Sequence, residues 1–278
     1  MLTLAQVQDQ ITTHWSPIFT QRLKEVLLLG GLVNKDYEGE IRQGNTVRVS
    51  QVNALTAELR TVGVDASTFG TSSFSTSKVD LVVDKRAVCG LEVEDLVELQ
   101  SQIAKQQVQD EMIFAVAKQI NDYLYSLCSP STSNPDHVIG STSSLALDEL
   151  ALARRLASEA LWPDDGQRYG LISPQYWETI LKNTTLSSGD YVEDSPVING
   201  QKARRLLGWN LYEDNSRTGK LATFLHPNFM LFAQQQALNM KVSDLHGNKQ
   251  FGYVMSVDTI FGAKLGINGN VKHIQFTS

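Results

Sequence analysis

Cysteine is scarce: Cys89 and Cys128 are the two in the chain, too few for the disulfide framework that staples small oxidised domains. Both sit among apolar neighbours and read as small core hydrophobes, in keeping with assembly in a reducing cytoplasm. Long apolar runs are missing as well. The longest near the start, Val26 to Leu29, is far too short to cross a bilayer, and no basic start, apolar run and small-residue cleavage site follows Met1, so neither export nor a membrane is expected. Clustered positive charge is lacking beyond the pairs Arg154-Arg155 and Arg204-Arg205, and the net charge is −6. A strong electrostatic binder of nucleic acid, which needs grouped Lys and Arg to displace counterions, is therefore not indicated.

Chemistry-bearing motifs are also wanting. The five histidines, at 14, 137, 226, 246 and 273, have no metal-site pairing, and no Cys-x-x-Cys completes a zinc site. There is no nucleophile elbow, Walker loop or dinucleotide glycine fingerprint; Gly266-Ile267-Asn268-Gly269 reads as a hairpin turn. Glu92, Glu94, Asp95 and Glu98 read as the acidic first turn of a helix, placed by its dipole, rather than as a cation site. No catalytic residue, metal or cofactor is expected.

What the chain does have is a globular composition, 42% hydrophobic and 19% charged over 278 residues, enough for a sizeable core. Leu4, Val7, Ile11, Trp15, Ile18 and Phe19 are spaced for an amphipathic helix broken near Pro17, with a second helix over about 19–29 stopping at Gly30-Gly31, and together these form an arm. Gly44-Asn45-Thr46-Val47-Arg48-Val49 leads into a strand, and Val79, Leu81 and Val83 alternate with Asp80 and Asp84 on a return strand, so the two predict a long hairpin. Between them, Asn53 to Ser77 is rich in Ser, Thr, Gly and Ala, with Leu55, Leu59, Val62, Val64, Phe69 and Phe74 as isolated large hydrophobes. Such a segment cannot fold on itself, and its expected partner is another subunit.

From Leu91 to Cys128 there is no Pro or Gly. The apolar spacing predicts a helix of roughly 35 residues, about 50 Å long, packed against a sheet. Pro130 to Ser144 marks an internal boundary, after which the pattern predicts a helix over Asp148–Trp162 with Leu150, Ala153, Leu156, Ala157, Ala160 and Leu161 on its inner face, a strand at Tyr169–Ser173 and a helix at Gln175–Leu181. Strands follow at Leu221–Leu225, Met240–Ser243, Gly252–Asp258, Ala263–Ile267 and Val271–Phe276, making the second half mixed α+β.

This order of elements resembles the HK97-type fold of tailed-phage major capsid proteins. The resemblance covers nearly the whole chain and is carried by Gly44 to Val49, Val79 to Val83, the helix over Glu94–Cys128, Tyr169 to Trp177, Leu207 to Tyr212, and Phe224 to Gln236 as a strand followed by a helix. It implies an α+β, HK97-like capsid fold with an N-terminal arm (1–42), an extended β-hairpin loop (43–91), a peripheral domain with a spine helix (92–128 and 236–278) and an axial domain (129–235). It further implies a shell of pentamers and hexamers enclosing double-stranded DNA by weak nonspecific contact. Portal, scaffolding and possible decoration proteins would be the other partners, and the place of action the virion, assembled in the bacterial cytoplasm. The candidate inter-subunit contacts are Glu58, Leu59, Arg60, Asp65, Phe69 and Phe74. Some shells of this kind are crosslinked through a loop lysine, but no Lys lies between Asn53 and Ser77, so a noncovalent shell is expected. An encapsulin-type nanocompartment shell and a soluble α+β enzyme are the competing readings.

Overall fold

The computed structural model describes residues 27–37, 44–53, 55–62, 71, 73–95, 105–128, 138–140, 143–183, 203–248, 250–266 and 271–275. A short helical turn, α1 (Leu29–Leu32), precedes the hairpin strands β1 (Thr46–Val52) and β2 (Thr76–Val82). Gly30 and Gly31 lie inside that turn instead of stopping a helix, and the rest of the arm's first two helices lies outside the described residues. β1 and β2 pair antiparallel from Thr46 opposite Val82 to Val52 opposite Thr76, as the alternation predicts.

β3 (Lys85–Val93) follows at once, so Leu91 to Val93 belong to a strand and not to the long helix. Glu92 is likewise on that strand rather than in a helix's first turn. The helix α2 is described over Lys105–Cys128. Its inner face, Met112, Val116, Leu124, Tyr125 and Cys128, forms one buried cluster with Ala87, Val93, Met255, Val257 and Phe261. Those partners come from the sheet β3-β10-β9, in which β9 spans Met230–Asp244 and β10 spans Tyr253–Leu265. Tyr123 meets Phe261 edge to face at 5.6 Å, a geometry favoured by the ring quadrupoles. Helix on sheet is thus the packing the interrupted apolar stripe of this segment calls for.

The second body is a six-stranded sheet, β4-β11-β8-β5-β7-β6. It is built from β4 (Val138–Gly140), β5 (Tyr169–Ile172), β6 (Ala203–Leu206), β7 (Trp209–Glu213), β8 (Leu221–Leu225) and β11 (Val271–Gln275). Helices α3 (Leu147–Glu159) and α4 (Pro174–Lys182) share its core of Trp209, Tyr176, Phe224, Leu150, Ala153 and Ile180. Trp209 is fully buried between Trp162 at 5.9 Å and Phe224 at 4.9 Å. Arg168, also buried, donates to the carbonyls of Trp162 and Pro163 at 2.7 and 2.9 Å, which satisfies its charge and pins the turn after α3.

Several expectations fail for identifiable reasons. Phe224 to Gln236 contains no helix: after β8, a 3₁₀ turn at Pro227–Phe229 leads straight into the fifteen-residue β9. The strands expected at Gly252–Asp258 and Ala263–Ile267 are one strand, β10. β10 and β11 lie in different sheets, so these two strands do not pair as a hairpin, residues 267–269 of the expected turn lie outside the described residues, and 271–275 pairs with the six-stranded sheet rather than with the sheet under α2. A strand, Val138–Gly140, stands within the expected Pro130–Ser144 boundary loop.

At the end of α3, Ala160 and Leu161 are exposed instead of facing the core. Leu161 adopts φ 59°, and the bonds from Trp162 N to Ala157 O and Leu161 N to Ser158 O, both 3.0 Å, close the helix. This is the position where glycine avoids the Cβ clash of the left-handed region. Because Leu161 is 88% exposed, Leu161→Gly loses little packing; relief of the left-handed clash, less glycine's extra unfolded-state entropy, is expected to stabilise the chain by about 0.5–1 kcal/mol, read as a rise in thermal midpoint.

Candidate inter-subunit surface

The hairpin is rooted at its base and bare at its tip. Leu81 and Val83 are buried in a small cluster with Leu231 and Ala233, against which Val47, Val49, Val79, Tyr37 and Ile260 pack. The alternation read from the sequence therefore seats one face of the hairpin on β9 and β10. Polar links reinforce the seat: Gln235 Nε2 donates to Gly44 O at 3.2 Å and Lys264 Nζ to Asp80 O at 3.1 Å, while Val83 N donates to Asn45 O at 2.7 Å to close the hairpin's own base. Across the strands, Arg48 Nε meets Asp80 Oδ1 at 2.7 Å. That hydrogen bond, foremost, holds the Asp80 carboxyl below its ordinary range and raises the Arg48 guanidinium.

Gly262 makes the close seating possible. A Cβ there would stand 2.2 Å from Val82 O and 2.8 Å from Val83 Cα, so only glycine lets β10 and the hairpin root approach this closely.

Among the described residues the outermost rung is at Asn53, whose backbone N–H and side-chain amide donate to Ser75 O at 3.0 Å and Ser75 Oγ at 2.9 Å. Beyond it, Leu59 and Val62 are fully exposed and Phe74 is 70% exposed. Isolated exposed hydrophobes are ordinary, but several within one loop make it a candidate interaction surface. Of the six contact candidates, Leu59 and Phe74 stand open to solvent, whereas Glu58 and Arg60 pair with each other at 2.9 Å. Asp65 and Phe69 lie outside the described residues.

A second apolar row escaped the sequence reading. Leu238, Met240 and Val242 are exposed on the outer half of β9. Their two-residue spacing places them on one face, and β9 is an edge of its sheet, where exposed apolar strands invite pairing with other chains. At the neighbouring β9–β10 turn, Phe251 is 74% exposed.

Catalytic or ligand chemistry finds little footing. Among the described residues no three His, Cys, Asp or Glu gather as a metal site, and no helix is long and apolar enough to cross a membrane. The buried carboxylate of Asp258 is satisfied by Arg86 at 2.6 Å. His226, also buried, places Nε2 3.2 Å from Asp165 Oδ2, tying the turn after α3 to the end of β8. Among the described residues, most of the exposed large hydrophobes gather on the hairpin with its loop and on the outer half of β9.

Comparison with known proteins agrees with that geometry. The family profile described as "Phage capsid protein" matches residues 34–263. A search of curated proteins found no match. Among solved structures, the chain is similar to one from Mycobacterium phage Che8, with TM-score 0.78 and 19% identity, covering 95% of this chain and 96% of that one. It is similar to the capsid of cyanophage P-SCSP1u, with TM-score 0.78 and 12% identity over 98% and 94% of the two chains. A third likeness is to the cyanophage Pam1 capsid, with TM-score 0.74 and 11% identity over 99% and 98%. A profile matched over most of the chain, on an HK97-like fold, settles the family: the chain belongs to the phage capsid protein family and is a major capsid protein, a structural subunit of the virion shell.

Proposed function

We propose that the chain assembles through pentamers and hexamers into a closed icosahedral shell around double-stranded DNA, and that the arm and the hairpin loop hold neighbouring copies by noncovalent contact. The observation that carries this reading is the hairpin itself. Its root is locked to β9 and β10, while in its loop Leu59 and Val62 are fully exposed and Phe74 is 70% exposed. Such a lever is a liability in a monomer and an asset in a closed assembly, where another copy removes the apolar tip from water. The role is structural rather than enzymatic. Portal, scaffolding and decoration proteins are the further partners of such a shell.

The net charge of −6 favours confinement of DNA by the closed wall over tight binding to it, since few phosphates could be neutralised. Purified particles should therefore lose little DNA retention as salt is raised. A steep salt-dependent release from intact shells would contradict this.

The test of assembly is negative-stain microscopy of the purified full-length chain with its phage-encoded assembly partners, where closed particles are expected. Small soluble oligomers alone, or shells filled with a protein cargo in place of DNA, would overturn the proposal. For the noncovalent claim, boiled particles should run as a single monomer band on SDS gels, because the loop from Asn53 to Ser77 has no Lys to crosslink. A ladder of heat-resistant oligomers would refute it.

A further inference from the structure

Two leucines stand where the backbone calls for other residues. Among the described residues, Leu161 and Leu207 are the non-glycine positions with positive φ, at 59° and 49°. Leu161 occupies the left-handed position that ends α3, where glycine is usual. Leu207 and Gly208, with φ 49° and 81°, form the two-residue turn between Leu206 and its partner Trp209, a geometry that favours Asn-Gly. A side chain such as leucine costs stability at either place, and neither residue recovers it by burial, since they are 88% and 39% exposed. Locally disfavoured residues of this kind concentrate at functional sites.

The two share one corner. Arg154 of α3 donates through Nη1 to Leu207 O and through Nη2 to Asp164 Oδ2 at 3.3 Å, which ties the turn after α3 to the β6–β7 turn. Arg205, exposed on the edge strand β6, lies at the same place: a Cβ on Gly166, in the turn after α3, would stand 3.8 Å from its Nη2. The corner therefore presents two bare leucines beside a guanidinium at the open edge of the six-stranded sheet.

The start of α3 carries the complement. Leu147 is 38% exposed, and the next residue, Asp148, is exposed as well. Lys220 Nζ, just before β8, donates to Ser143 O at 2.7 Å, which places this end toward β8 and β11, away from β6. The thirteen residues of α3 hold the two ends about 20 Å apart at 1.5 Å per residue, so the leucines and the opposite charges cannot meet within one chain. Between copies they can, because a head-to-tail contact sets one end of a subunit against the other end of the next and closes a ring.

We propose that Leu161 and Leu207 form a docking surface for a second copy of this chain, whose Leu147 packs on the two leucines and whose Asp148 pairs with Arg205. The contact lies on the six-stranded body, uses no residue of the hairpin loop, and rests on the shell reading above.

Leu161→Gly separates the residue's cost from its use. In the unassembled full-length chain it should raise the thermal midpoint, yet the concentration needed to form particles should rise about tenfold, the ratio for one large apolar side chain left unburied. A chain that is more stable and assembles worse is not a misfolded one. Arg205→Asp should impair assembly likewise, and adding Asp148→Arg to it should restore particles. In particles carrying Leu147→Cys and Leu161→Cys together, mild oxidation should give reducible ladders of several chains on SDS gels, with neither single variant going beyond dimers. Parent-like assembly of Leu161→Gly, no rescue by the charge swap, or assembled double-cysteine particles without a ladder would each overturn the contact while leaving the shell in place. A parent chain that forms no particles would instead remove the shell reading, and this contact with it.

Discussion

Replacing Leu59 and Phe74 together by aspartate is expected to leave a folded chain that no longer closes into shells. Leu59 is fully exposed and Phe74 70% exposed, and neither belongs to a buried cluster, so the monomer gives up little. In the assembled shell the same side chains would leave water against a neighbour. Burial of a large apolar side chain contributes about 1.5–3 kcal/mol, so two of them contribute roughly 3–6 kcal/mol per contact, on the order of a hundredfold to ten-thousandfold in its association constant. Aspartates would forfeit this and add the cost of burying unpaired charge. If each copy both gives and receives such a contact, as proposed, the loss recurs throughout the shell. Circular dichroism should match the parent chain while sizing and negative stain show no particles. Parent-like particle yields would remove the hairpin tip from the assembly contacts.

Gly262→Val is expected to damage the chain before assembly begins. The added Cβ would meet Val82 O at 2.2 Å and Val83 Cα at 2.8 Å, both backbone atoms that no rotamer change can move aside. Either β10 or the hairpin root must shift, unseating Leu81 and Val83 from Leu231 and Ala233. Overpacking of this kind costs typically about 1–3 kcal/mol, and for a chain of this size each kcal/mol lowers the thermal midpoint by roughly 2–4 °C. A fall of about 2–12 °C is expected from those two ranges combined, with faster hydrogen exchange concentrated in β2. Gly90→Ala is the matched control, because its Cβ would find Met255 O at a comfortable 3.9 Å. An unperturbed Gly262→Val chain would mean that the root is not held as described.

Much of this architecture was legible because local pattern and local structure coincide. Val47 and Val49 against Val79, Leu81 and Val83 alternate strictly, and the hairpin pairs them as written. The Tyr169 to Leu181 stretch reads as strand and helix because Pro174 opens α4 with a fixed φ.

Where the reading failed, pairing was nonlocal or the pattern was blurred. β3 has Val88 and Leu91 on exposed surface, so its alternation is broken and, lacking Pro or Gly after Gly90, Leu91 to Val93 passed for helix. β9 carries two register shifts against β10 between Asp258 and Phe261. Each shift slips the side-chain alternation, which hides a fifteen-residue strand behind an irregular sequence. Within β10, Gly262 marks a close approach inside one continuous strand, and no local signal could send β11 to the other sheet.

The candidate surface was legible to the same degree. Leu59 and Phe74 stand out as large hydrophobes in a polar loop and are bare in the fold. Glu58 and Arg60, two residues apart, pair with each other at 2.9 Å, a contact that their spacing allowed. The stripe Leu238, Met240 and Val242 escaped because its exposure depends on β9 being an edge, which is a property of the sheet and not of the strand.

The measurement that bears most directly on the hairpin as the shell's fastening is a cryo-electron microscopy reconstruction of assembled particles at side-chain resolution. Leu59, Val62 and Phe74 should each be buried against a second copy of the chain, with the hairpin root still seated on its own β9 and β10. Tips standing in solvent around the whole shell, or folded back onto their own subunit, would contradict it.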